Sequence, residues 1–197
     1  MINKAMDFAR NVFDGDASGH DFDHTLRVFH TATRLAIEEG ADLQTVQLAA
    51  LLHDVDDRKL SPETYEGQLR AVSFLKENAV ENEKIQEIVD IISRISFSAQ
   101  LPPPESIEGK CVRDADRLDA MGAIGIARTF AFGGSRGRRM HDPENMDKTT
   151  SVQHFYDKLL QLKASMLTAT GKRLAEQRDQ FMRQFLEQFY EEWGGLR

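Results

Sequence analysis

Cysteines, long apolar runs and an apolar N-terminal segment are scarce or absent in the sequence, and each absence excludes a class of protein. Cys111 is the only cysteine, so no disulfide can form within the chain, and a reducing compartment is expected. The longest glycine-free apolar run, residues 48–52, is far shorter than the roughly 18 residues of a membrane-spanning helix. The N-terminal segment carries charged residues where a signal peptide would be apolar. We therefore expect a cytoplasmic protein that has no membrane partner.

Aromatic residues and prolines are also few. Phe, Trp and Tyr make up 8% of the chain, and three of the five prolines lie together at 102–104. Long stretches without proline, poor in the tyrosine and tryptophan typical of strands, favour helices over a many-stranded sheet. With 197 residues, 41% of them apolar, the chain is long enough for a core that needs no cross-links.

Basic residues are outnumbered by acidic ones. The chain has 25 Lys and Arg against 32 Asp and Glu, a net charge of −7. This balance excludes the broad basic surface of proteins that bind extended nucleic acid. It does not exclude a small phosphate-bearing ligand, because such a site needs only a local cation.

Apolar residues recur at helical spacing along most of the chain. The first predicted helix begins near Phe22 and stops at Gly40, and Asp42 is the expected cap of the second. One further predicted helix begins at 61–63 and continues through residue 75. The other four span about 83–96, 111–132, 150–167 and 172–193. This pattern predicts an all-α fold: a single-domain bundle of about seven or eight helices over residues 1–197. We expect a core at 18–135, with C-terminal helices at 150–193 packed on it.

Histidines and aspartates occur together at three places. His20 and His24 are four residues apart and share a helix face, although a surface pair would have the same spacing. His53-Asp54 directly follows the apolar run 48–52, and a carboxylate buried there is costly unless it is paired or binds a metal. The alternative for this pair is a solvated helix end.

The third place is the segment 114–119, in which three carboxylates lie on an otherwise apolar helix. Asp116 and Asp119 share one face of that helix, and Asp114 points away from Asp119. A stripe of surface charge is the alternative interpretation.

The order of these residues resembles the H…HD…D signature of the HD-domain phosphohydrolase superfamily. The matching residues are His24, then His53-Asp54, then Asp116. Residues 115–134, ADRLDAMGAIGIARTFAFGG, and residues 154–160, HFYDKLL, are similar to bacterial single-domain HD hydrolases. The likeness spans about residues 18–190.

The resemblance implies an all-helical bundle in which His24, His53, Asp54 and Asp116 hold one divalent metal ion. Asp119 stays open as the alternative to Asp116. A set of two imidazoles and two carboxylates suits Mn, Ni, Fe, Zn or Mg and does not choose among them. A bound ion would lower the pKa of its water to about 7, polarise a phosphoryl oxygen and supply local positive charge to an acidic protein.

The resemblance also implies hydrolysis of phosphate esters or anhydrides. The members most similar to this chain are nucleotide pyrophosphohydrolases, so we expect cleavage of nucleoside triphosphates to monophosphate and pyrophosphate. Asp57 and Lys59 follow the HD pair. Asp57 is expected to orient or deprotonate the attacking water, and Lys59 is expected to contact a phosphate. A solvated, charged turn is the alternative for Asp56 and Arg58.

Further residues are candidates for contacts with the substrate, with surface charge or salt bridges as the alternative for each. These candidates are His20, Arg27, Arg128, His154 and Lys158. The loop that holds Arg136, Arg138 and Arg139 could close over phosphates or could be solvated.

Several other functions compete with this prediction. The nearest are a phosphatase of nucleoside monophosphates and a nucleotide phosphodiesterase, although no histidine lies between His53 and Asp116 to form a two-metal site. A non-catalytic nucleotide-sensing HD module is the alternative from another class. A zinc peptidase is disfavoured because Asp21 replaces the expected Glu. The expected partner is a small-molecule nucleotide rather than extended nucleic acid, and a homodimer is allowed.

Overall fold

The computed structural model describes residues 1–14, 21–57, 61–95, 102–144, 146 and 148–196. Within these ranges the chain forms ten α-helices and one 3-10 helix and has no strand. The helices are α1 (Ile2–Val12), α2 (Phe22–Glu39), α3 (Leu43–Leu52), α4 (Pro62–Tyr65), α5 (Leu69–Glu77), α6 (Asn82–Ser93), α7 (Ile107–Asp119), α8 (Gly122–Ser135), α9 (Ser151–Asp157), the 3-10 helix (Leu159–Ser165) and α10 (Ala169–Trp193). The all-α prediction is confirmed, with more helices than the seven or eight expected.

The chain divides into two compact units, Met1–Asp116 and Arg117–Arg197. In the first unit α3 is central, because it packs against α1, α2 and α6. Seven of its ten residues are buried, as expected for a helix that is apolar on all sides. The end of this buried helix delivers His53 and Asp54 to the interior. The expectation of one domain with a core at 18–135 stays a prediction.

The second unit is built around α10 and a group of phenylalanines. Helix α10 packs against α8 and the 3-10 helix, and α9 also contacts both of these elements. Ring centroids in the group lie 5.9–6.1 Å apart, a spacing typical of packed aromatic pairs. Its members are Phe130, Phe155, Phe185 and Phe189. None of the described helices is both long and apolar enough to cross a bilayer.

The predicted boundaries of α2 and α3 are confirmed. Helix α2 ends at Gly40, whose φ of 72° is the left-handed conformation that commonly terminates helices. Asp42 caps α3, because its carboxylate accepts a 2.8 Å hydrogen bond from the Thr45 amide. Asp21 caps α2 in the same way through the amide of His24, also at 2.8 Å. This cap fixes the first turn of α2, where His24 lies.

The single helix predicted from 61–63 through residue 75 is wrong. The structure has α4 and α5 there, separated by Gly67 and Gln68 with φ values of 82° and 53°. Two successive residues in the left-handed region cannot continue a right-handed helix.

Two other predicted helices are also interrupted. The helix expected over 111–132 is α7 followed by α8, and α8 begins at Gly122 with a φ of 70°. A Cβ at Gly122 would lie 3.0 Å from Cγ of Arg178 on α10, so glycine suits both the backbone and the packing at this break. The Thr150 cap is confirmed by a 3.2 Å hydrogen bond from the Gln153 amide, but the helix after it continues only as the 3-10 helix.

Candidate metal centre

Three of the predicted ligands converge in the first unit. His24 Nε2 lies 3.3 Å from His53 Nε2, and Asp54 Oδ2 lies 3.5 Å from His24 Nε2 and 3.2 Å from His53 Nε2. One donor atom from each of the three residues lies within 4.8 Å of the other two. His24 comes from the first turn of α2, and His53 and Asp54 come from the end of α3. The arrangement is compact enough to hold one metal ion.

The fourth predicted ligand, Asp116, adjoins this cluster. Its Oδ1 lies 3.5 Å from His24 Nε2, and Asp116 belongs to the last turns of α7. The alternative ligand, Asp119, instead forms a 2.6 Å ion pair with Nη1 of Arg128. The geometry therefore favours Asp116, since the carboxylate of Asp119 already binds a guanidinium.

A hydrogen bond to the main chain orients the ring of His53. Its Nδ1 lies 2.8 Å from the carbonyl oxygen of Ala50, and a carbonyl can only accept, so Nδ1 carries the proton and donates. The neutral ring then presents the lone pair of Nε2 to the cluster. Such a bond from the second ring nitrogen is the usual way in which proteins orient a histidine ligand.

The electrostatics of the cluster favour a positive charge at its centre. Burial disfavours the charged form of His53, but attraction to Asp54, and more weakly to Asp116, outweighs it and raises the pKa of His53. Burial would raise the pKa of Asp116, but the hydrogen bond with His24 and the charge of His53 lower it. A mixed set of imidazoles and carboxylates with this preference fits a divalent cation.

The other residues predicted in the first unit have different outcomes. Asp57 is half-buried, and its amide donates to the carbonyl oxygen of Asp54 at 3.0 Å, so it lies one tight turn beyond the cluster. Arg27 lies on α2 three residues after His24 and is also half-buried. His20, Arg58 and Lys59 lie outside the described residues.

The solvated turn considered for Asp56 is wrong. This residue is only 1% exposed, and its carboxylate accepts hydrogen bonds from the amides of Arg70 and Ala71. Its partners follow 14 and 15 residues later in the chain. The local sequence therefore holds no signal that could have revealed them.

The predicted substrate contacts of the second unit have partners within that unit. The pKa of His154 is lowered by burial and by the nearby positive charges of Lys158 and Arg138, so these three residues form a basic group. Arg128 pairs with Asp119. Contacts of all these residues with a substrate stay predictions.

The arginines of the predicted phosphate-closing loop also have neighbours. The guanidinium groups of Arg136 and Arg138 each lie 5.4 Å from the ring centroid of Phe132. Arg139 forms a 3.2 Å ion pair with Asp142. These contacts give the three arginines a structural role within the loop. Closure of the loop over phosphates stays a prediction.

Cavity volume does not identify the site. A cavity of about 350 Å³ in the second unit is lined by residues that include His141, Gln153 and Tyr156. Another, of about 250 Å³, lies beside Phe8 and Phe74 in the first unit. Neither cavity is lined by a predicted metal-ligating residue, so the site is identified by the clustered histidine and aspartate side chains and not by cavity volume.

Comparison with known proteins gives a consistent result. The HD domain family model matches residues 21–121, a range that includes all four predicted ligands. YpgQ of Bacillus subtilis is 40% identical over 96% of this chain and 92% of its own length. An HD-superfamily hydrolase from Bacillus thuringiensis superposes with a TM-score of 0.85 and 44% identity, covering 98% of this chain and 96% of that one.

A crystal structure of Bacillus subtilis YpgQ in complex with ADP is also similar. It superposes with a TM-score of 0.82 over the whole of both chains, and 33% of the residues paired in the superposition are identical. The family match, the helical architecture and the clustered histidines and aspartate agree with one another. The chain therefore belongs to the HD-domain family and is an HD-superfamily hydrolase.

Proposed function

We propose that this protein is a divalent-metal-dependent phosphohydrolase that cleaves nucleoside triphosphates to nucleoside monophosphate and pyrophosphate. The observation that carries the proposal is the convergence of His24, His53 and Asp54, with donor atoms within 4.8 Å of one another. Asp116, 3.5 Å from His24, completes the proposed ligand set. Buried carboxylates are costly unless they are paired or bind a metal ion, and imidazoles and carboxylates are common ligands of divalent cations.

A bound divalent ion supplies Lewis-acid chemistry, because it polarises phosphoryl oxygens and makes water more acidic. The chain supplies the surrounding groups. Asp57 is a half-buried carboxylate one tight turn after Asp54, and we assign it the task of orienting the attacking water and accepting its proton. Lys59 is assigned a contact with phosphate.

Basic side chains complete the proposed substrate site. The residues assigned to phosphate or nucleotide contacts are His20, Arg27, Arg128, His154 and Lys158. Arg128 is bound to Asp119, and about a third of its side chain is exposed, so a ligand can approach it from solvent.

The comparison with YpgQ supports a nucleotide as the substrate class. YpgQ, which this chain matches over its whole length, has been crystallised with ADP. ADP contains the nucleoside and the α- and β-phosphates that a nucleoside triphosphate also carries. Cleavage between those two phosphates adds one water and yields monophosphate and pyrophosphate.

The test is a nucleotide panel with separate measurement of orthophosphate and pyrophosphate. Metal-loaded protein is incubated with nucleoside tri-, di- and monophosphates, and Asp54→Ala is compared with wild type. Asp90→Ala is the matched control, because Asp90 is an exposed carboxylate on α6 that pairs with Arg94. We expect pyrophosphate and monophosphate in equal amounts from wild type and the control, and neither product from Asp54→Ala.

Other outcomes point to the competing functions. Orthophosphate released from monophosphates would identify a nucleotidase. Tight nucleotide binding by metal-loaded protein without any turnover would identify a nucleotide-sensing module. Activity that survives Asp54→Ala would place the chemistry elsewhere on the chain.

A further inference from the structure

Asp56 is a buried carboxylate that the proposed chemistry does not use. It lies two residues after Asp54 in the turn that follows α3, and only 1% of it is exposed. Its Oδ1 accepts a 3.1 Å hydrogen bond from the amide of Arg70, and its Oδ2 accepts a 3.0 Å hydrogen bond from the amide of Ala71. Both donors belong to the first turn of α5.

Asp56 replaces a cap that α5 lacks locally. Gln68 precedes α5 in the left-handed conformation, with a φ of 53°, and its side chain makes no capping hydrogen bond. The first amides of a helix need acceptors from outside the helix, and a carboxylate suits them because of its charge. The cap of α5 therefore comes from the segment that carries the candidate metal ligands.

This bond closes a ring of contacts around the turn. Helix α5 packs on α6, and α6 packs on α3, whose end leads into the turn. Val55 within the turn is fully buried, and the Asp57 amide bonds to the Asp54 carbonyl. The turn is thus held from three directions: by α3, by its own hydrogen bond, and by α5 through Asp56.

We infer that Asp56 is a positioning residue for the metal centre. By holding the turn against α5, it fixes the direction in which Asp54 presents its carboxylate to His24 and His53. The inference rests on the ligand set of the proposed function but not on the identity of the substrate. It differs from a simple helix cap, which would stabilise α5 without affecting metal affinity.

The test measures metal binding and folding stability separately. Chelator-treated protein is titrated with Mn²⁺ by calorimetry, and unfolding in urea is measured on the same samples. Asp56→Asn keeps one acceptor oxygen but turns an amide group toward a backbone N–H. Loss of a group that orients a metal ligand typically weakens metal affinity by about 10- to 100-fold, and we expect a decrease in this range.

A matched control removes a different buried helix cap. Thr168 is buried and caps α10 by accepting a 2.9 Å hydrogen bond from the Gly171 amide. Thr168→Val should lower stability and leave the Mn²⁺ affinity within about twofold of wild type, since it removes a cap of α10, a helix that carries none of the predicted ligands. At saturating Mn²⁺ the turnover of Asp56→Asn should recover, whereas that of Asp54→Ala should not.

Wild-type Mn²⁺ affinity in a destabilised Asp56→Asn protein would overturn the inference and leave Asp56 as a cap alone. If Asp56→Asn does not fold, Asp56→Glu is titrated instead. It keeps the charge and both acceptors, but its extra methylene displaces the turn, so it should weaken Mn²⁺ binding. Unchanged affinity in that variant would refute the inference equally. Wild-type protein that binds no Mn²⁺ would refute it too, whereas binding without nucleotide turnover would refute only the proposed function.

Discussion

Replacement of His53 by alanine tests the ligand set without reference to any substrate. The residue is 6% exposed, and its Nε2 lies 3.3 Å from that of His24 and 3.2 Å from the carboxylate of Asp54. A ligand that binds only the folded protein stabilises it by about 2.7 kcal/mol at 100 times its Kd. Each kcal/mol shifts the Tm of a chain of this length by about 2–4 °C. Mn²⁺ at that excess should therefore raise the wild-type Tm by about 5–11 °C.

The assay compares thermal unfolding with chelator and with Mn²⁺ for each variant. His53→Ala removes a central donor, so its shift should be close to zero. The buried ring also contributes packing, so the shift rather than the absolute Tm is compared. His30→Ala is the matched control, because His30 is an exposed histidine on α2, the helix that carries His24, and its ring packs against Phe29. A full wild-type shift in His53→Ala would refute the assignment of this histidine as a ligand.

Three further predictions concern residues whose surroundings are fixed by the fold. Asp119→Asn breaks the ion pair with Arg128, so urea unfolding should show that the free energy of unfolding falls by about 1–3 kcal/mol, while the metal content stays unchanged. Asp116→Asn should instead lose the metal. The reverse pattern would make Asp119 the ligand and Asp116 the structural residue. The pKa of His154 is lowered in the folded state, so the unfolded chain takes up the proton first and stability falls as the pH drops below about 6.5. His154→Gln should reduce the loss of Tm between about pH 6.5 and 5, and an unaltered slope would contradict the assignment. Burial raises the pKa of the Cys111 thiol to about 12. A thiol reagent at pH 8 should therefore react slowly with the folded protein and rapidly after urea is added. Fast labelling of the folded protein would disprove the burial of Cys111.

Local sequence signals were sufficient for the start and end of several helices. Gly40 ends α2 and Asp42 caps α3 because each acts on amides or carbonyls a few residues away. The HD pair was also recognisable, since it follows a helix that is apolar on all sides. The link between His24 and Asp116 has no such local signal, because more than ninety residues separate them. That part of the site was predicted from the resemblance to a family.

The breaks in the predicted long helices depend on tertiary packing. Gln68 adopts a left-handed conformation that nothing in its residue type favours, while Asp56 caps the helix that follows. Gly122 lies against Arg178, which comes from a helix almost sixty residues later. Periodicity continues through both breaks, so a reading of apolar spacing alone joins the helices.

The aspartates of the two motifs show how the fold distinguishes identical side chains. Asp56 accepts two backbone amides and Asp119 binds a guanidinium, so protein donors already satisfy these two carboxylates. Asp54 and Asp116 lie instead beside imidazole nitrogens, which are themselves metal donors when neutral. Carboxylates and neutral imidazoles that share one buried space need a proton or a metal cation between them. A cation at this position accounts for the set as a whole, and it would let a chain with a net charge of −7 attract the anionic substrate of the proposed function.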